Sequence, residues 1–258
     1  MVMRLPAHVQ ILALILLISI PNFALAQPVT IAVGDWPPYI SQEHKHDGVI
    51  SHIITDIFTD MGMTPSISFM PWARAYKDTA IGTFTATGVW MHQTDREKDF
   101  IYSEPILTEQ FVFFHKKSYP FNWDTVADLT GIKMGGSLVS SYGPDLDLAL
   151  KQGLVKMERI TYPRQNFKKL LIDRIQLHPL EINVGYSSLK KHFTLSEQKQ
   201  ITHHPKPLLN NLSYVLFPKH LKESKNLVKR FNQLLAKYKS NGQYKTYFNN
   251  FKLGHYNQ

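Results

Sequence analysis

Short β-branched runs alternate with helically spaced apolar segments along this chain, and that alternation constrains its fold more than any other feature. Residues 29–33, Val-Thr-Ile-Ala-Val, read as a buried strand. Gly48 then leads into Val49, Ile50, Ile53, Ile54, Ile57, Phe58 and Met61, which repeat at helical spacing until Gly62 stops them. Residues 66–70 read as a second strand, residues 71–76 open a helix behind Pro71, and residues 84–90 read as a third strand. The pattern is that of an α/β chain. With 258 residues and 43% hydrophobic content it can bury a real core, as one large or two small domains.

Residues 1–26 stand outside this pattern. Arg4 gives a positive start, residues 11–20 form a short apolar run, Pro21 breaks it, and Ala24-Leu25-Ala26 supplies small residues for cleavage. The segment reads as a secretory signal peptide cut before Gln27, since the apolar run is short for a bilayer span. The chain has no cysteine, which excludes a disulfide framework, a thiol nucleophile, a thiolate metal site and an acylated-cysteine anchor. A soluble periplasmic protein is expected. The formal charge is +9, and Arg4 is the only charged residue before Gln27, which leaves +8 on the rest. The basic residues are spread out or lie on a solvated C-terminal helix face, so no nucleic-acid partner is expected.

Three places carry candidate chemistry. The first is the loop Gly34-Asp35-Trp36-Pro37-Pro38-Tyr39 after the first strand. Its prolines stiffen it, and it stands where open α/β sheets bind ligands, so Trp36 and Tyr39 either line a cleft or cover the core edge. The second is Trp90 and the stretch 93–105 beyond it. Arg96 offers a planar fork of donors suited to a carboxylate; the plainer reading pairs it with Asp95 or Asp99. Nearby, Trp72 reads as a packing residue and Arg74 as a surface one. The third is the glycine- and serine-rich turn at 135–144, between a strand at 132–134 and a helix running through Leu150. Free backbone N–H groups at a helix start attract anions, although the ending of a phosphate-binding P-loop is absent. Ser140 or Ser141 could equally cap that helix.

Enzyme signatures are missing. Gly-x-Ser-x-Gly does not occur, and no spacing pairs Glu43, Asp47, Glu104 or Glu181 as glycosidase carboxylates. The histidines at 44, 46, 203 and 204 lack zincin spacing and read as surface residues. No catalytic residue, metal or cofactor is expected.

Thr94, Arg96, Phe100, Ser103 and Pro105 form Thr-x-Arg-x-x-x-Phe-x-x-Ser-x-Pro, which resembles the signature of periplasmic solute-binding proteins of the polar amino-acid (family 3) type. The similarity runs from Val29 to about Phe251. It implies a two-lobed periplasmic-binding-protein fold of type II, with lobes joined by two crossing strands. Lobe 1 would comprise residues 27–115 and 213–258, and lobe 2 residues 116–212, with residues 106–114 and 212–217 as the crossings. The resemblance further implies that Arg96 holds a ligand carboxylate, that Ser140, Ser141 and Tyr142 complete that site, and that Trp36, Tyr39 and Trp90 line the cleft. It sets Glu181 against a ligand ammonium; the residue pattern alone equally suits a helix N-terminus. The chain departs from the family at Thr85, where an aspartate is usual. It departs again at Val89, Met91, His92 and Gln93, where glycine and a hydroxyl residue usually precede the arginine. The hydroxyl that helps hold the carboxylate is thus missing or moved. The expected ligand is a small carboxylate-bearing solute, an amino acid or similar. The expected protein is a monomer serving an inner-membrane transporter or receptor, with a sensing role or a dehydratase-like activity as alternatives.

Overall fold

The run at 29–33 is buried almost throughout because it becomes an inner strand. The computed structural model describes residues 27–138, 140–161 and 164–257. The signal peptide expected over 1–26 lies outside the described residues. Strand β1 (Gln27–Val33) pairs in parallel with β2 (Met63–Phe69) and with β3 (Ala86–Met91). Between β1 and β2, helix α1 (Val49–Asp60) buries Val49, Ile50, Ile53, Ile54, Ile57 and Phe58 on one face. Gly62, at φ 78°, takes the left-handed turn that ends it. Helix α2 (Trp72–Ala80) follows β2, with Pro71 as the residue just before its first turn.

A short β4 (Phe100–Tyr102) leads to the long β5 (Leu107–Lys116). The chain then builds β6 (Met134–Ser137), α3 (Pro144–Gln152), β7 (Met157–Ile160), α4 (Arg164–Leu171), β8 (His178–Glu181), α5 (Ile182–His192), α6 (Leu195–Gln200) and β9 (Ile201–His203). It returns through the long β10 (Leu209–Pro218) to α7 (Ser224–Ser240) and α8 (Gln243–Lys252). The main sheet runs β2-β1-β3-β10-β5-β8, with β4 on β10 and β9 on β5. Strands β5 and β10 are antiparallel partners from Leu107↔Ser213 to Phe111↔Leu209. They are the strands common to both halves.

The buried side chains divide accordingly. One core draws on residues 29–107 and 215–256 and packs α1, α7 and α8 on the β1–β3 sheet. Two further clusters draw on residues 111–177 and 112–201. The result is a two-lobed α/β fold, the lobes meeting along β5 and β10. Among the described residues no helix is long and apolar enough to cross a membrane.

One local reading changes. Gly135 and Gly136 belong to β6 rather than to a turn. A Cβ on Gly135 would stand 2.5 Å from Asn166 Oδ1, and one on Gly136 2.2 Å from Met157 Sδ, so glycine serves close packing there. Beyond β5, a short turn of helix at Val126–Leu129 is capped by Thr125, whose backbone N–H donates to Asp128 at 2.8 Å in a reciprocal capping box.

Candidate functional site

A cavity of about 590 Å³ opens between the lobes, a size suited to a small-molecule ligand. Its walls come from three places: the loop after β1, the β3–α2 corner with the turn behind it, and the β5–β10 pair with the 140–141 turn facing them.

The first wall is built by a closed turn. Trp36 N–H donates to Ile40 O at 2.7 Å and Ile40 N–H returns to Trp36 O at 3.1 Å. The two aromatics of this turn touch, their ring centres 4.9 Å apart, but they differ in what lies beyond them. Trp36 faces the cleft, half-buried. Tyr39 goes inward, 2% exposed, its ring stacked on Phe251 at 5.4 Å. The assignment of Tyr39 to the cleft is therefore corrected: its hydroxyl donates to Glu181 Oε1 at 3.0 Å, from one lobe to the other. Burial and the neighbouring Glu181 carboxylate push the Tyr39 phenol far above its usual range.

The second wall is aromatic and carries Arg96. Trp90 packs edge-on against Trp72 at 5.2 Å and against Tyr76 at 5.6 Å. Its indole N–H donates to Thr87 Oγ1 at 3.0 Å, and Thr87 in turn donates to Ala32 O at 2.7 Å, which fixes the ring. The Arg96 guanidinium lies 4.8 Å from the Trp90 ring centre and 5.9 Å from that of Tyr76. Its Nη1 donates to Met91 O at 2.7 Å. Neither Asp95 nor Asp99 pairs with it. Asp99 accepts from the Tyr76 hydroxyl at 2.9 Å instead, and among the described residues no carboxylate stands within 4 Å of Arg96. Burial lowers the proton affinity of this guanidinium. Burial and the bond to Asp99 push the Tyr76 phenol up to about 12. Trp72, read as a packing residue, lines the cleft as well.

The third wall holds the acid that sequence reasoning missed. Glu109 on β5 is 3% exposed, lines the cavity beside Phe111 and Ser213, and accepts a hydrogen bond from the Ser213 hydroxyl. Asn211, its partner across the β5–β10 ladder, donates to Ser213 Oγ at 3.2 Å. Burial pushes the Glu109 carboxyl up to about 7. The period of a strand could have found it: Leu107, Glu109, Phe111 and Phe113 share one face, so an acid sits among residues that are otherwise apolar.

The 140–142 turn differs from expectation. Ser140 and Ser141 line the cavity. Arg159 holds the turn by donating to Ser137 O at 2.7 Å and Ser140 O at 2.8 Å. The Ser141 hydroxyl, however, donates to the Asp147 carboxylate, and Tyr142 N–H donates to the same carboxylate at 3.1 Å. An acid thus occupies donors that a ligand anion would need. Tyr142 is corrected too. Its side chain is 1% exposed in the second lobe's core, where its hydroxyl accepts from Ser137 N–H at 2.7 Å. No side chain caps α3; Gly143 stands at that position.

Glu181 ends β8 and is 1% exposed. It accepts from Val184 N–H at 2.8 Å as the N-cap of α5, from Asn183 Nδ2 at 3.2 Å and from Tyr39. Of its two expected roles it performs the helix-terminal one, and it is absent from the cavity wall. Burial raises its carboxyl above the usual range. Among the described residues no cluster of three or more His, Asp or Glu is arranged to hold a metal.

The model of the bacterial extracellular solute-binding proteins, family 3, matches residues 29–254. A search of curated proteins returns no match. Solved structures share the fold at low identity. An ancestral arginine-binding protein bound to arginine is 16% identical with a TM-score of 0.70, over 86% of this chain and 96% of its own. A substrate-binding protein of an ABC uptake transporter from Streptococcus pneumoniae, with bound histidine, is 18% identical with a TM-score of 0.67, over 85% and 90%. A histidine kinase sensor domain with similarity to periplasmic binding proteins is 15% identical with a TM-score of 0.68, over 86% and 94%. Family match and two-lobed architecture agree on a periplasmic-binding-protein fold of type II, and the chain belongs to the bacterial extracellular solute-binding proteins, family 3.

Proposed function

We propose that this protein binds a small carboxylate-bearing solute, an amino acid or similar, between its lobes and delivers it to an inner-membrane transporter. The observation that carries this reading is Arg96. It is a half-buried guanidinium over Trp90 at the cleft wall, and no protein carboxylate stands within salt-bridge distance among the described residues. A half-buried guanidinium without a protein counter-ion is suited to bind a ligand carboxylate bidentately. The arginine and histidine in similar structures are consistent with a ligand of this class. Trp36, Trp72 and Trp90 would cover the rest of the solute.

In this reading the lobes close by a hinge in β5 and β10, with residues 27–115 and 213–258 moving against 116–212. Residues 1–26 direct export to the periplasm and are removed before Gln27. The work is binding, with no chemical step. The similarity to a kinase sensor domain favours one second reading, in which the loaded protein reports to a membrane receptor. Arg96→Ala tests the shared core of both. Titration calorimetry with a panel of amino acids and small carboxylates should find a binder for the wild type and at least a thirtyfold weaker Kd in the variant, about 2 kcal/mol. Equal affinity would refute the carboxylate clamp.

A further inference from the structure

We propose that Glu109 selects the ligand by pairing with a cationic nitrogen at the hinge side of the cleft, so that the bound solute is a zwitterion held between Arg96 and Glu109. The inference rests on the reading of the cleft as a solute site, and it moves the acidic pole of that site away from Glu181.

Three observations carry it. First, Glu181 is committed elsewhere, with both carboxylate oxygens already hydrogen-bonded within the protein. Tyr39, Asn183 and Val184 all donate to it, it is 1% exposed, and it lies behind the cavity wall. Second, Glu109 is in the wall and lacks a cation. It is 3% exposed, and among the described residues no lysine, arginine or histidine stands within 4 Å of its carboxylate. A carboxylate taken out of water without a counter-ion is costly, and a hydroxyl such as Ser213 offsets only part of that cost. The raised proton affinity of Glu109 expresses the same deficit. A ligand ammonium would remove it. Third, the surroundings favour a cation. Trp36, Trp72 and Phe111 line the same cavity, and the faces of aromatic rings attract positive charge. Nothing in the fold of β5 calls for an acid at this position, since Leu107, Phe111 and Phe113 on the same face are apolar and buried.

Matched compounds separate the two charges. Glutamine, histidine and tryptophan are each compared with the deaminated acid and the decarboxylated amine of the same skeleton. Titration calorimetry is run on the wild type, Glu109→Gln and Arg96→Ala, each first shown by thermal melting to unfold cooperatively. The expected result is that one of the amino acids binds the wild type at least tenfold more tightly than its deaminated acid. Glu109→Gln should bring the two within about threefold. Arg96→Ala should lose both.

Equal binding of the amino acid and its deaminated acid by the wild type would overturn the role of Glu109. So would full discrimination retained in Glu109→Gln. Either outcome leaves the carboxylate site standing if Arg96→Ala still abolishes binding. Binding indifferent to Arg96→Ala would instead sink the solute-site reading beneath it. A wild type that binds no member of the panel would overturn the zwitterion assignment.

Discussion

Glu109→Gln isolates the cost of burying one charge, and the size of that cost follows from its surroundings. Burial pushes the Glu109 carboxyl up from an ordinary 4.5 to about 7, the bond from Ser213 opposing the rise and the Glu181 carboxylate adding to it. The folded protein therefore holds this proton more tightly than the unfolded chain does. The resulting stability is fully present below about pH 4.5 and is lost as pH climbs through about 7. Between about pH 5 and about pH 8 the loss amounts to about 2.5 kcal/mol, at about 1.4 kcal/mol per tenfold change in proton concentration. Glutamine has the same length, offers an oxygen to the Ser213 hydroxyl and has no proton to lose. Glu181 and Tyr39, the other ionisable groups whose charge acts on this site, titrate in both proteins and largely cancel in the comparison. Urea unfolding of the ligand-free proteins at the two pH values should show the variant gaining about 2.5 kcal/mol on the wild type from the lower to the higher pH. Profiles that run parallel to within about 0.5 kcal/mol would refute the argument that the acid is desolvated.

Two other substitutions probe how the cleft is held. Tyr39→Phe keeps the ring on Phe251 but removes the hydroxyl that joins Glu181 and Asn183 across the lobes, so urea unfolding should show a loss of about 1.5 kcal/mol. Small-angle scattering of the ligand-free variant should show a larger radius of gyration, and an unchanged radius would mean that this contact does not restrain the lobes. Gly34→Ala would set a Cβ 2.2 Å from the Trp72 indole. The ring must move out of the cleft wall, so tryptophan fluorescence should shift and ligand Kd should weaken about tenfold. Unaltered fluorescence and affinity would mean that the wall adapts without loss.

Much of the architecture was legible from the chain alone. The period of α1, the strand runs at β1, β5 and β10, and the position of Arg96 beyond β3 follow from local pattern, because backbone geometry ties side-chain direction to residue spacing. Trp36 could be named for the cleft on the strength of its loop, and it lines the cavity.

Pattern alone could not tell a cleft from a core. Both present apolar, aromatic surfaces, and a residue spacing says which way a side chain points on its element but not what it meets. Trp36 and Tyr39 lie on one short turn, yet only the packing of Phe251 and Glu181 from distant segments draws Tyr39 inward and leaves Trp36 at the wall. Glu181 and Glu109 are both strand acids in the sequence. They end in different surroundings because α5 and Tyr39 engage one, while the meeting of β5 with β10 opens the other onto the cavity. The sequence by itself determined β1, α1, β5, β10 and the place of the arginine. The tertiary structure decided which acid faces the cavity, because that depends on which donors distant segments bring within reach.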